Sequence, residues 1–125
     1  MDKNLNIPYG IHPVFRNKIQ EVSETLVDNA RILCMTQLWL FGSVARGDYS
    51  ANSDIDLLVL TSSNSERTIS VEVELLELRN DVDYPNVDII VRNRSSLDND
   101  ANYVFNNAVK RDKIVIWSDD NGRTK

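Results

Sequence analysis

Several residue types that would point to a particular kind of protein are scarce in this chain of 125 residues. The chain has one cysteine, Cys34, which excludes an internal disulfide and a zinc cluster of thiolates. It also has one histidine, His12, so no second imidazole is available to share a metal. Because Cys34 follows Ile32 and Leu33, we expect it to be a small buried core residue.

Long apolar runs and an excess of positive charge are missing as well. No segment approaches the length that crosses a bilayer, and residues 1–7 lack the basic and then apolar order of a secretory signal. We therefore expect a soluble cytoplasmic protein with no membrane partner. The net charge is −5, so we expect no direct binding to nucleic acid, although a nucleotide needs only a few local cations.

The spacing of apolar residues predicts a small α/β domain that occupies residues 1–125 and ends in a frayed polar tail, 118–125. Nearly continuous Ile, Leu and Val runs are typical of strands that are covered on both faces. In the ambiguous segment 65–80, length and glutamate content favour a helix over a strand. The predicted elements are helix 13–33, strands 37–41 and 54–60, helix 65–80, strand 87–91, a helix capped by Ser95 or Ser96 that reaches Val109, and strand 113–117.

Two acids lie in the second predicted strand, where the other residues are apolar. Asp54 and Asp56 stand at positions i and i+2, so on a strand both side chains project from the same face. Two neighbouring carboxylates repel each other unless a cation lies between them. Mg²⁺ suits such a pair because it binds carboxylates together with substrate phosphates and water.

A third acid, Asp88, interrupts the next predicted strand, and a carboxylate there is costly unless it is paired or binds metal. If the two strands are neighbours, all three acids share one face. Three carboxylates can hold two divalent ions roughly 3.5 to 4 Å apart, which is the arrangement used in phosphoryl and nucleotidyl transfer. Asp83 is nearby, and only the strand context selects Asp88 over it.

The segment before these acids has the composition of a phosphate-binding turn. Gly42 and Gly47 bracket a stretch where a strand turns into a short helix, and backbone N–H groups at such a turn bind anions. Ser43 adds a hydroxyl donor, and Arg46 adds a fixed charge for phosphate oxygens. Each of these features is weak alone, since Arg46 could be an ordinary surface residue. Their order and spacing together predict a nucleotide site.

Together, Gly42-Ser43-x-Ala45-Arg46-Gly47 and Ser53-Asp54-x-Asp56-Leu57 resemble the signature of the polymerase-β-like nucleotidyltransferase superfamily, and in particular of the minimal nucleotidyltransferase (MNT) family. The resemblance implies a mixed sheet of about four strands flanked by helices. It also implies two Mg²⁺ ions and ATP as the nucleotide donor. The roles that it implies are triphosphate contact for Gly42 and Ser43, metal binding for Asp54 and Asp56, and a third catalytic and metal-binding carboxylate for Asp88.

The resemblance further implies a partner protein. Many relatives carry a helical domain that holds the acceptor, and 125 residues leave no room for one. Minimal members are often encoded beside a small helical HEPN protein. Some members act as antitoxins by transferring AMP from ATP to a tyrosine of that protein. We therefore expect a protein adenylyltransferase of the MNT/HEPN type.

Two other functions agree with the same residues. The signature also resembles that of aminoglycoside nucleotidyltransferases, so the acceptor could be a small hydroxylated molecule, although no acceptor domain is evident. Alternatively, the protein could neutralise its partner by binding alone, and the three intact acids argue against that reading. Transfer of AMP to the partner would distinguish these alternatives.

Overall fold

The computed structural model describes residues 4–78, 84–99 and 103–119. Short helices follow directly on the first and third strands. In chain order the elements are α1 (Pro13–Asp28), α2 (Ala30–Leu33), β1 (Met35–Phe41), α3 (Gly42–Arg46), β2 (Ile55–Thr61), α4 (Glu66–Leu75), β3 (Val87–Asn93), α5 (Arg94–Leu97), α6 (Tyr103–Asp112) and β4 (Ile114–Ser118).

The four strands form one mixed sheet in the order β3-β2-β1-β4. Strand β1 pairs antiparallel with β2 and β4, whereas β2 and β3 are parallel. A parallel pair needs a long crossover connection, and the segment that contains α4 supplies it. The predicted α/β class, a mixed sheet of four strands flanked by helices, is confirmed, and the strand ends differ from the predicted ones by at most two residues.

The two faces of the sheet carry apolar clusters of different size. On one face, Leu57 and Val59 pack with α1 and α4 in the larger cluster. On the other face, Leu58 and Leu60 pack with α5 and α6 in the smaller one. We call these the α1 face and the α6 face. Because successive strand residues alternate between faces, β2 contributes to both clusters.

The first helix ends earlier than its apolar spacing predicts. His12 caps α1 by accepting the N–H of Val14 at Nδ1, 3.1 Å away. The helix then breaks at Asn29, where φ is −107° and ψ is 17°. The Asn29 amide donates to the carbonyl of Thr25 at 2.8 Å, a local bond of the kind by which asparagine competes with helical geometry. The predicted helix 13–33 is therefore two helices.

The prediction that Cys34 is a buried core residue is wrong. Cys34 is exposed, and it ends α2 in a left-handed conformation with φ at 49°. This residue turns the chain from α2 into β1, and its carbonyl accepts the N–H of Ser62 at 2.8 Å. The turn leaves Leu33 in the core and directs the following residue outward.

The last predicted helix is also two helices, and its predicted cap is wrong. Asn93 caps α5 by accepting the N–H of Ser96 at 2.8 Å, so neither Ser95 nor Ser96 is the cap. The buried side chain of Asn106 in α6 donates to the Ser96 carbonyl at 3.1 Å, which ties the two helices together.

Other predicted ends lie partly outside the described residues. Ser65, the first residue of the predicted helix 65–80, caps α4, but this helix stops at Leu75, and Glu77 has a left-handed φ of 54°. Asn80, Asp83 and residues 120–125 are not among the described residues. Within the described ranges, none of the helices has the length and apolar character that crossing a bilayer requires.

Candidate active site

The candidate site lies at the edge of the sheet where β1 ends and β2 and β3 begin. Phe41, the last residue of β1, pairs with Asp56, and Asp56 lies beside Asp88 in the parallel register. Directly neighbouring residues in a sheet project their side chains to the same face. Two residues further along, Leu58 and Ile90 belong to the cluster on the α6 face. The structure therefore brings the second and third predicted carboxylates together on that face.

Asp54 reaches the same edge from the loop before β2. A turn precedes it, in which the Ser53 N–H donates to the Ser50 carbonyl at 3.1 Å and the Ser50 N–H donates to the Ser53 hydroxyl at 3.0 Å. The sequence places Asp54 inside the strand, whereas β2 begins one residue later, at Ile55. Asp54 is consequently exposed, while Asp56 is half-buried.

The electrostatics of Asp56 show how closely the acids are grouped. Burial, followed by the charges of Asp88 and Asp54, raises the pKa of Asp56 from its usual 3.8 to about 6, while Arg46 acts in the opposite direction. A nearby positive charge stabilises a carboxylate in such surroundings. The close grouping of the three carboxylates therefore favours the binding of a cation beside Asp56.

Gly42 approaches the same carboxylate through its backbone. It has a φ of 79°, in the left-handed region that favours glycine. A methyl group built at its Cα would overlap the Asp56 carboxylate, whose Cγ would be only 3.2 Å from the new carbon. Only glycine satisfies both conditions. The start of α3 is thus held directly against Asp56, and Ser43 follows it in the first turn.

Arg46, at the last position of α3, is held by two carboxylates. Its guanidinium donates to Asp48 at 3.1 Å and to Asp112, near the end of α6, at 2.8 Å. Asp112 also accepts from Arg111 at 2.9 Å, and its side chain is only 5% exposed. The bonds from Arg111 and from Arg46 lower the pKa of Asp112. Arg46 therefore lies close to the acids while connecting α3 to α6.

The donors collected at this edge are the kind that a hard divalent cation prefers, because all of them are carboxylates. In the part of the chain that the structure describes, no three carboxylate, imidazole or thiol groups converge tightly enough to hold a metal ion by themselves. Mg²⁺ commonly uses only one or two protein carboxylates and completes its shell with phosphate and water. The carboxylate donors and the crowding around Asp56 fit a Mg²⁺ site of this kind, in which the protein supplies only part of the coordination shell.

The chain belongs to the nucleotidyltransferase domain family. The model of that family matches residues 15–114, which include the glycine turn and all three carboxylates. This match confirms the predicted membership of the nucleotidyltransferases. No functionally curated protein matches the chain significantly.

Two solved structures show the same fold. One is the crystal structure of a toxin-antitoxin with AMP-PNP, 25% identical, with a TM-score of 0.55, covering 85% of this chain and 75% of the matched one. The other is a protein from Sulfolobus solfataricus assigned to the nucleotidyltransferases, 21% identical, with a TM-score of 0.53, covering 90% of this chain and 95% of the matched one. These likenesses confirm the polymerase-β-like fold.

Sequence reasoning found the three acids and the glycine turn but missed the partners of Arg46. Asp48 follows the signature closely and could have been recognised as a neighbour from spacing alone. Asp112 gave no local signal, because it reaches Arg46 only through the packing of α3 beside α6.

Proposed function

We propose that this protein is a Mg²⁺-dependent nucleotidyltransferase that transfers AMP from ATP to a tyrosine of a small helical HEPN-type toxin and so neutralises it in the cytoplasm. The observation that carries the proposal is the parallel register that sets Asp56 beside Asp88, with Gly42 held against Asp56. Membership of the nucleotidyltransferase domain family supports the chemistry. The likeness to a toxin-antitoxin solved with AMP-PNP supports the choice of nucleotide and partner.

Each residue has a defined task in this proposal. Asp54, Asp56 and Asp88 would hold Mg²⁺, which when bound supplies positive charge to the phosphate groups. Gly42 and Ser43 contact the triphosphate at the start of α3. These five residues belong to the edge of the sheet where β1 ends and β2 and β3 begin.

Arg46 would contribute a phosphate contact by exchanging one of its two partners. Asp48 is 62% exposed, so its bond to Arg46 is screened by solvent and is weak. Asp112 is 5% exposed and holds the guanidinium from the other side. Phosphate oxygens can therefore replace Asp48 while Asp112 keeps Arg46 in place.

The proposed reaction is an in-line displacement at the α-phosphorus of ATP. The tyrosine oxygen forms a bond to that phosphorus, and the bond from the phosphorus to the bridging oxygen of pyrophosphate breaks, with its electron pair leaving on pyrophosphate. The phenolic proton passes to a carboxylate, and Asp88 is the candidate because it is half-buried beside Asp56. The products are an adenylylated tyrosine and pyrophosphate.

The exposure of the acids agrees with an acceptor that comes from another protein. Asp54 is exposed, and Asp56 and Asp88 are only half-buried. A tyrosine must approach within bonding distance of the α-phosphorus, and an open edge permits this.

The decisive experiment is mass spectrometry of the protein co-expressed with the product of the adjacent reading frame, which we expect to be a small helical protein. We expect one or more AMP groups on a tyrosine of the partner and suppression of its toxicity. The Asp54→Ala variant should leave the partner unmodified and toxic, while Glu74→Ala, an exposed acid on α4, should behave as wild type. An unmodified partner together with protection by Asp54→Ala would show that neutralisation works by binding alone, and would refute the enzymatic proposal.

A further inference from the structure

A cavity of about 660 Å³ lies beside α3 on the α1 face. Its volume is within the range of small-molecule sites. None of the residues proposed for metal or nucleotide binding lines it. Its lining includes side chains from the segment before α1, from α1 itself, from α3 and from the loops before β2 and β3: His12, Phe15, Val44, Tyr49, Ser50 and Tyr84.

The wall formed by residues before α1 has no regular secondary structure, yet it is fixed by hydrogen bonds. Arg16 donates from its side chain to the Ile7 and Pro8 carbonyls at 3.1 and 3.2 Å. The His12 N–H donates to the Tyr49 hydroxyl at 2.9 Å, which joins this wall to the opposite one. These bonds hold the cavity open in a preformed shape.

Two glycines add to the open space. Gly10 and Gly47 both line the cavity, and a methyl group built on either would meet no atom within 4 Å. Gly10 does not have the left-handed φ of Gly47, so a larger residue fits its backbone without strain. Gly10 is therefore a position in the cavity wall that can accept a larger side chain.

The chemistry of the lining indicates the kind of ligand. Among the described residues, the lining contains no aspartate, glutamate, lysine or arginine, so none of these side chains offers a charged ligand a partner. Three aromatic rings lie together, with the Phe15 ring centroid 5.0 Å from that of Tyr49 and 6.0 Å from that of Tyr84. Such rings favour a further aromatic ring in stacked or edge-on contact. The polar groups of His12, Tyr49 and Ser50 can each make a hydrogen bond.

We propose that this cavity is a second binding site, which takes a neutral aromatic molecule with a hydrogen-bonding group. A ligand there contacts Val44 and Ala45 of α3 from the α1 face, whereas Gly42 at the start of the same helix contacts Asp56 on the α6 face. The two sites thus share one five-residue helix, which gives a direct route for coupling between them. The binding site goes beyond the proposed function and does not depend on it.

Titration with indole, a neutral bicyclic aromatic with one N–H donor, tests the proposal by two-dimensional NMR on the full chain without nucleotide. We expect saturable shifts of the amide signals of Gly10, Ala45 and Gly47, with a Kd on the order of 1 mM or tighter, as a ligand of this size allows. The absence of saturable shifts at these amides would refute the proposal.

Variants test whether the shifts of the amide signals arise from indole bound in the cavity. Gly10→Leu, which places a bulky side chain in the cavity wall, should weaken indole binding about tenfold or more. Tyr84→Leu removes one aromatic wall and should weaken binding several-fold, whereas Tyr103→Leu, a similarly exposed tyrosine on α6, should have no effect. If Gly10→Leu and Tyr84→Leu give the spectrum of a folded protein and bind indole as tightly as wild type, the assignment of the cavity is wrong.

Discussion

The two faces of the sheet are built from the same strands but carry different chemistry. On the α1 face, β2 contributes Ile55, Leu57 and Val59, all fully buried in the larger apolar cluster. On the α6 face, the same strand begins with the half-buried Asp56 and becomes apolar only at Leu58. A shift of one residue along a strand exchanges the faces, so this division depends on exact register.

The apolar packing that stabilises the fold and the acids of the candidate site therefore lie on opposite faces of the sheet. The α1 face has apolar side chains from the strand start onward, and it supplies most of the burial that stabilises the fold. The α6 face places like charges side by side at its open edge, where they oppose folding. We therefore expect the acids to be replaceable without unfolding the protein.

The largest effect should follow the removal of charge from the α6 face. With both Asp54 and Asp56 replaced by Asn, AMP transfer should fall by about 10³-fold or more, because the ligands for the charge-stabilising cation are gone. Transfer is measured with labelled ATP, Mg²⁺ and the partner protein, and folding is followed by thermal unfolding. Glu74→Gln on α4 serves as the control. Undiminished transfer by the double variant, or in excess chelator, would contradict the metal role.

The second effect concerns the choice of the third acid. Asp88→Ala should lower the transfer rate by about 10²- to 10⁴-fold, the usual contribution of a general base, because Asp88 lies beside Asp56. Asp83→Ala should change the rate little. Steady-state rates of the two folded variants give the comparison, and a greater loss in Asp83→Ala would show that Asp88 is the wrong residue.

The third effect compares two glycines with similar backbone angles. Gly42 and Gly47 have φ values of 79° and 89°, so alanine at either should cost about 1–2 kcal/mol of unfolding free energy. Gly42→Ala should cost more, and should also weaken Mn²⁺ binding, because its methyl group would overlap the Asp56 carboxylate, whereas Gly47 has open space. Urea unfolding and metal titration measure both quantities. Equal losses in the two variants would mean that contact with Asp56 is unimportant.

The smallest effect is a pH dependence of stability. Asp56 has a pKa of about 6 in the folded protein against a usual 3.8, so the folded state holds this proton more tightly. The stabilisation of the folded state by this bound proton is present below about pH 4 and is lost as the pH rises through about 6. Asp56→Asn, which stays neutral, should therefore be more stable than wild type at pH 8 by about 1–2 kcal/mol, after allowance for solvent screening.

Chemical denaturation in the presence of a chelator measures this difference at pH 4 and pH 8. The two proteins should be closer in stability at pH 4. If wild type gained stability relative to Asp56→Asn as the pH rose, charge crowding at the edge would not be the dominant influence on Asp56.

Much of the fold and the core of the candidate site could be predicted from local patterns. The strands follow from short apolar runs, and Asp54 and Asp56 are found because two carboxylates at alternate strand positions are costly without a cation. Helix ends were less predictable. The break at Asn29 coincides with a side-chain hydrogen bond to Thr25, which apolar spacing does not record.

Local sequence already specifies which chemical groups are present: paired acids, a glycine turn and an α/β pattern, all of which depend on residues a few positions apart. What those residues contact is set by the tertiary structure. It set Asp88 beside Asp56 through a parallel register, and it brought Asp112 to Arg46 from 66 positions away. It also formed the aromatic cavity behind α3 from four separate segments. Such contacts arise because packing the two sheet faces brings distant segments together, and no local pattern encodes the partner of a residue across the fold.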